Sequence, residues 1–210
     1  MLKVVTHKTL RQHSDLLLDQ YRLRHQEFIE RQQYDVHSID GMEFDEYDTL
    51  AAVYLVYSRD GRTALGVSRL TPVAYGCMLA DHFPDLVDDR SVFTTPRTWE
   101  GTRFCIDSNL APELRSEICH SICAGYLEYA LAHGIDRIIG LMPTLILRSV
   151  FERSGIQLDR LGAAHKIGAH SRIQAASIAV TPDQLERVIA RTGLSNVLGY
   201  TPEGPVYAAR

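Results

Sequence analysis

The stretch Trp99-Glu100-Gly101-Thr102-Arg103-Phe104-Cys105-Ile106-Asp107 constrains the fold more than any other part of the chain. It is short, apolar at 99, 104 and 106, and bounded by Pro96 and by residues 109–112, which reads as a strand. Glu100 and Arg103 interrupt it. Side chains of a regular strand alternate between faces, so positions 100 and 103 cannot share one. If both serve one site, the strand carries a bulge, and Gly101 is the residue expected to host it. An acid and a base beside a glycine-marked irregularity point to chemistry. On this segment alone a surface ion pair is the simpler reading.

The rest of the chain supplies a setting for that strand. Leu2 to Val5 reads as a strand, and Leu10 to about Arg31 as a helix with apolar positions at 16, 17, 21, 23 and 28. Residues 33–49 are polar and acidic, with too little apolar content for a core element; a loop of that length is expected to be functional. Ala51 to Tyr57 and Thr63 to Pro72 read as strands joined at Asp60-Gly61, a hairpin signal. Met78 to Val87 is helical with a break at Pro84. After the central strand, Pro112 opens a helix ended by Gly134. Asp136 to Met142 is a buried-type strand, and Pro143 to Ser154 a helix with Pro in its first turn. Ile156 to Leu161 and Arg172 to Val180 follow as strands. Thr181-Pro182-Asp183-Gln184 starts a last helix with a capping box, and the tail from Thr192 is expected to be irregular. Antiparallel strands followed by β-α-β units predict an α/β fold: a mixed central sheet flanked by helices, an α-β-α sandwich. At 210 residues the chain is expected to form one domain over 1–210.

Composition excludes several classes. A net charge of −4 gives no sign of nucleic acid binding. No apolar run is long enough to insert in a membrane, and the N-terminus lacks a signal-peptide core, so a cytoplasmic protein is expected. Cys77, Cys105, Cys119 and Cys123 form no CxxC pair, and no metal is expected; core thiols in a reducing compartment are the better reading. Neither a Walker A nor a GxGxxG motif is present.

Scattered groups remain for chemistry. Arg24 and Phe28 share a helix face, Asp45 and Asp48 lie in the acidic loop, and Arg69 lies in a strand. Taken singly, each reads more simply as a solvated face, a core aromatic or an ordinary acidic loop. Their combination is specific. Arg24-x-x-x-Phe28, Glu43-Phe44-Asp45-x-x-Asp48, Ser68-Arg69-Leu70-x-Pro72 and Trp99-Glu100-x-x-Arg103-Phe104, in that order, closely resemble the LuxI-type autoinducer synthases, which make acyl-homoserine lactones. Arg153-Ser154-Gly155 resembles a helix-ending motif of the same family. The family usually has Trp where this chain has Tyr34.

The resemblance implies an N-acyltransferase fold of the acetyltransferase (GNAT) type. It implies S-adenosylmethionine as a substrate rather than a cofactor, and an acyl thioester on acyl carrier protein or coenzyme A. It makes Glu100 the candidate base and Arg103 its catalytic neighbour. Arg24, Phe28, Tyr34, Asp45, Asp48 and Arg69 fall to the S-adenosylmethionine side, where the arginines and acids read equally as a buried ion-pair network ordering the loop. Leu141, Met142, Thr144, Leu145, Ile146 and Val150 are candidates for the acyl pocket. In the family a hydroxyl residue near the end of this strand often accompanies 3-oxo-acyl substrates; that position falls at Leu141, which favours an unsubstituted chain. Arg148, Arg153 and Lys166 are candidates for docking an acidic carrier or coenzyme A phosphates, or else belong to a solvated face. Two other functions stay open: a different amine acyltransferase on the same fold, and a non-catalytic sensor of S-adenosylmethionine or an acyl ligand.

Overall fold

The computed structural model describes residues 1–167 and 171–200. Expectations for the tail beyond Tyr200 fall outside those residues. Strands β1 (Leu2–Val5), β4 (Val53–Tyr57), β5 (Gly66–Pro72), β6 (Thr98–Ile106), β7 (Arg137–Pro143), β10 (Ser171–Ala179) and β8 (Asp159–Arg160) lie in that spatial order, and β9 (His165–Ile167) also pairs with β10. A separate two-stranded ribbon, β2 (Ser38–Ile39) and β3 (Met42–Glu43), sits in the acidic loop. Every pairing in the large sheet is antiparallel except β6 with β7. This is the mixed sheet expected from the order of elements.

Alternation along the strands sorts the core into layers. Val53, Leu55 and Tyr57 face one side with Leu70 and Ile138, under α3 (Pro112–Ala132) and α5 (Pro182–Thr192). Tyr54, Val56, Val67 and Cys105 face the other, under α1 (Leu10–Arg24). Both faces of β4 are buried, which is why its sequence is apolar throughout. The middle of α3 is buried on all sides, so it shows no apolar stripe.

Four local expectations are corrected. The helix from Leu10 is α-helical only to Arg24 and continues as a wider π-helical turn, His25–Arg31. The turn read at Ser58 to Gly61 is longer: residues 58–65 form the loop, and β5 begins at Gly66 rather than Thr63. Asp60 Oδ1 accepts from the N–H groups of Arg62 and Thr63 at 2.8 Å each, which satisfies the wider loop. The acidic loop, expected to be too poor in apolar residues to enter the core, nevertheless buries Glu43 and Tyr47. Finally, the bulge in β6 is at Arg103, not at Gly101. Val67 pairs with Cys105 and Arg69 with Thr102, so Ser68 alone faces both Arg103 and Phe104.

Candidate active site

The bulge resolves the parity problem in β6. Glu100 and Thr102 point to the side of the acidic loop, and Arg103 joins them because its backbone turns through φ +53°. Phe104 returns to the α3 side, where it meets Phe151 at 5.5 Å between ring centroids. A non-glycine residue at positive φ costs about 1–3 kcal/mol and persists only where its surroundings hold it.

Those surroundings are a cluster of three arginines and three carboxylates. Arg24 donates from Nε to Glu43 at 2.5 Å and through both terminal nitrogens to Asp48 at 2.9 and 2.8 Å. Arg69 donates to both oxygens of Asp45 at 2.5 and 3.0 Å, to Asp48 at 2.8 Å, and from Nε to Thr102 Oγ1 at 3.0 Å. Arg103 reaches Glu43 at 3.0 Å and Asp45 at 2.6 Å. Planar, bidentate pairing suits guanidinium and carboxylate and fixes both partners. Tyr54 donates to Asp48 at 2.8 Å, and the Asp45 N–H donates to the same carboxylate. Burial alone pushes the Asp48 carboxyl up, but Arg24 and Arg69 overcome it and hold the group well below the usual carboxylate range. The network is dry at Arg24 and Arg69 and reaches solvent at Arg103, 14% exposed, and Asp45, 10% exposed.

Glu100 is fully buried, and its two oxygens accept from the backbone N–H groups of Met78 and Leu79 at 2.8 Å each. The carboxylate thereby pins the short helix α2 (Met78–His82) to the sheet. Burial raises its pKa above the ordinary value, and the two N–H groups and Arg69 offset part of the rise. Phe28 lies 5.9 Å from the Arg103 guanidinium carbon and stacks on Tyr34, with 6.1 Å between centroids and 6° between planes. Tyr34 is 49% exposed, so these rings form an outer wall beside Arg103.

Beyond Glu100, β6 and β7 part company. They pair only over Thr98–Glu100 and Arg137–Ile139, although both strands run on. A small cavity of about 30 Å³ opens there, walled by Gly101, Ile138, Gly140, Met142, Tyr126 and Phe151 among others. Of the expected acyl-pocket residues, Met142 lines it, and Ile146 and Val150 pack against the same core. Leu141 and Leu145 do not line it. Leu141 follows the strand alternation to the opposite face and packs with Val73, Leu79 and Ala175; Leu145 is 70% exposed. Thr144 is half-buried and does not line the cavity either. Tyr126, Leu147 and Phe151 do, but their apolar character made them indistinguishable from core in the sequence. Arg148, Arg153 and Lys166 are all exposed. Among the described residues, no three His, Cys, Asp or Glu side chains are placed to hold a metal ion, and no helix is long and apolar enough to cross a membrane.

The parted strands lie close at their glycines. A Cβ on Gly140 would stand 2.8 Å from the Gly101 carbonyl oxygen, which as backbone cannot step aside. Gly140→Ala is therefore expected to lower stability by about 1–3 kcal/mol in urea unfolding and to narrow the cavity mouth.

A family model described as autoinducer synthase matches residues 7–195. An acyl-homoserine-lactone synthase of Rhizobium radiobacter is 32% identical over 162 residues, 75% of this chain and 76% of the relative. A solved CoA-dependent acyl-homoserine lactone synthase, with SAM and isopentyl-CoA, has a TM-score of 0.84 at 25% identity, covering 98% of this chain and 94% of that one. A putative N-acetyltransferase from Lactobacillus plantarum, at 13% identity and a TM-score of 0.52 over 86% of this chain and 99% of that one, shares the fold alone.

Proposed function

The chain belongs to the autoinducer synthase family, and from that premise we propose that it is an acyl-homoserine-lactone synthase working as one domain in the cytoplasm. It transfers an acyl group from acyl carrier protein or coenzyme A to the α-amine of S-adenosylmethionine, then closes the lactone and releases methylthioadenosine to yield a quorum-sensing signal. The observation that carries the site reading is the bulge at Arg103, which puts Glu100 and Arg103 on one side of β6 beside the opening between β6 and β7.

The chemistry follows from what each step needs. A free α-amine titrates near about 7.7–8.0, so it must shed a proton before it attacks. Glu100 takes that proton, directly or through one water; each of its oxygens keeps a lone pair beyond the bond it accepts from α2. The amine nitrogen bonds to the thioester carbon, and the carbonyl oxygen gains charge that backbone N–H groups over 101–103 meet. Collapse expels the carrier thiolate, which takes up a proton. In the second step the substrate's own carboxylate bonds to its γ-carbon and the C–S bond breaks, with the pair going to sulfur. That step needs orientation above all. Arg24, Asp45, Asp48 and Arg69 order the loop that holds S-adenosylmethionine, with Asp45 facing its cationic end. Phe28 and Tyr34 wall its pocket. Met142, with Ile146 and Val150 behind, receives the acyl chain. Arg148, Arg153 and Lys166 meet the carrier.

Mass spectrometry of the purified protein with S-adenosylmethionine and a panel of acyl-CoA and acyl-carrier thioesters tests this. Methylthioadenosine together with a matching acyl-homoserine lactone is expected, and the productive donor identifies carrier and chain. Acylation of some other amine would make the protein a different acyltransferase. Binding of S-adenosylmethionine without turnover of any donor would make it a sensor.

A further inference from the structure

Beneath the bulge, on the α3 side, two buried hydroxyls are not used by the steps above, although the Tyr126 ring also walls the cavity. Ser68 is wholly buried in β5, and Tyr126 of α3 is 1% exposed. Their oxygens lie 2.5 Å apart. Ser68 Oγ also donates to the backbone carbonyl of Thr102 at 3.0 Å. Ser68 has one proton and spends it on Thr102, so the Tyr126 hydroxyl is the donor to Ser68. The run is therefore directional: Tyr126 O–H to Ser68, Ser68 O–H to Thr102 C=O.

Thr102 is the residue before the strained one. Its carbonyl shares a peptide plane with the Arg103 N–H, and across a trans peptide the two point in opposite directions. Ser68 holds the carbonyl toward β5. The Arg103 N–H is thereby turned away from β5, to the side where β6 and β7 separate. The other end of Thr102 is also held, because its Oγ1 accepts from Arg69 Nε. A peptide fixed from both sides explains how a non-glycine residue keeps φ +53° there.

Granted the acyl-transfer reading of the site, on which this rests, we propose that Ser68 and Tyr126 are positioning residues: they clamp the Thr102–Arg103 peptide so that the Arg103 N–H meets the developing thioester oxyanion. Neither touches the reacting atoms by this account. The Arg103 side chain is tied separately, by Glu43 and Asp45, so losing the clamp leaves the S-adenosylmethionine side intact.

Ser68→Ala, Tyr126→Phe, the double variant and Ser68→Thr are compared with wild type in the full chain, with S-adenosylmethionine binding followed by calorimetry. Ser68→Ala is expected to lower kcat about 100-fold, the scale for losing one oxyanion donor. KM for both substrates and the affinity for S-adenosylmethionine should stay within about twofold. Tyr126→Phe should lower kcat about tenfold, the double variant should be no worse than Ser68→Ala because the pair acts as one unit, and Ser68→Thr should recover most of the loss. A kcat for Ser68→Ala within about threefold of wild type overturns the proposal. So does a rise in KM that matches the fall in kcat, the mark of general loosening. Should circular dichroism show Ser68→Ala unfolded, Tyr126→Phe decides alone: a selective fall in kcat supports the clamp and an unchanged kcat overturns it. If wild type makes no methylthioadenosine from any donor, the acyl-transfer reading fails and takes the clamp with it, whereas an active wild type with indifferent variants defeats the clamp only.

Discussion

Asp48→Ala is expected to destabilise the fold by about 3–5 kcal/mol, the cost of breaking a buried ion pair by removing one partner. Asp48 accepts from Arg24, Arg69, Tyr54 and the Asp45 N–H, and both arginines are fully buried. Without Asp48 the cluster holds three guanidiniums against two carboxylates, with two of the three cations out of reach of water. Typical domains have only about 5–15 kcal/mol in total, so the variant stands near the edge of folding. Urea unfolding followed by circular dichroism measures the loss, and a change below about 1 kcal/mol would show that water enters the cluster. The same carboxylate sets an acid limit. Its pKa is depressed in the folded state, so its contribution is present above the unfolded carboxylate pKa of about 3.9 and is lost as pH falls through the lower folded value. Wild type should lose stability steeply below about pH 4, and Asp48→Ala should lose part of that slope.

Much of the sheet was legible because alternation and turn signals are local. Trp99–Asp107 was read as a central strand, and Thr98–Ile106 is one, between β5 and β7. What escaped was set by distant partners. The bulge was assigned to Gly101 on conformational freedom, yet it falls on Arg103, where long-range bonds to Thr102 and to the guanidinium hold a costly backbone. Gly101 is small for another reason: a Cβ there would stand 2.8 Å from the Tyr126 hydroxyl. The loop at 33–49 looked too polar to enter the core because its acids carry no local sign of their partners, which come from α1, β5 and β6. The ordered spacing of Arg24, Glu43, Asp45, Asp48, Arg69 and Arg103 signalled the cluster as a set where no single residue did. Leu141 is different, because strand alternation alone separates it from Met142. In the acidic cluster, Glu43 was visible in the motif but its part in holding Arg24 and Arg103 was not.

Glu100→Gln is expected to lower kcat by about 10²–10⁴-fold, the usual range for loss of a positioned base. The structure adds a second cost. Both Glu100 oxygens accept from backbone N–H groups, so an amide must turn its NH₂ toward the N–H of Met78 or Leu79. One buried donor then faces another, at about 1–3 kcal/mol, and α2 loosens from the sheet. Activity alone does not separate the two effects, but the pH profile does. In wild type the base must be ionised, and burial raises its pKa, so the acid limb of kcat/KM should lie above the ordinary carboxylate range near about 4.3. Loss of the base abolishes that limb and leaves only the ionisation of the substrate amine. Loss of the anchor keeps the limb, lowers the whole profile and raises KM for S-adenosylmethionine, because the segment after β5 packs against the acidic loop through the Tyr47–Asp81 bond. A variant that retained the acid limb would therefore leave Glu100 as the residue that fastens α2 and would require another base for the amine.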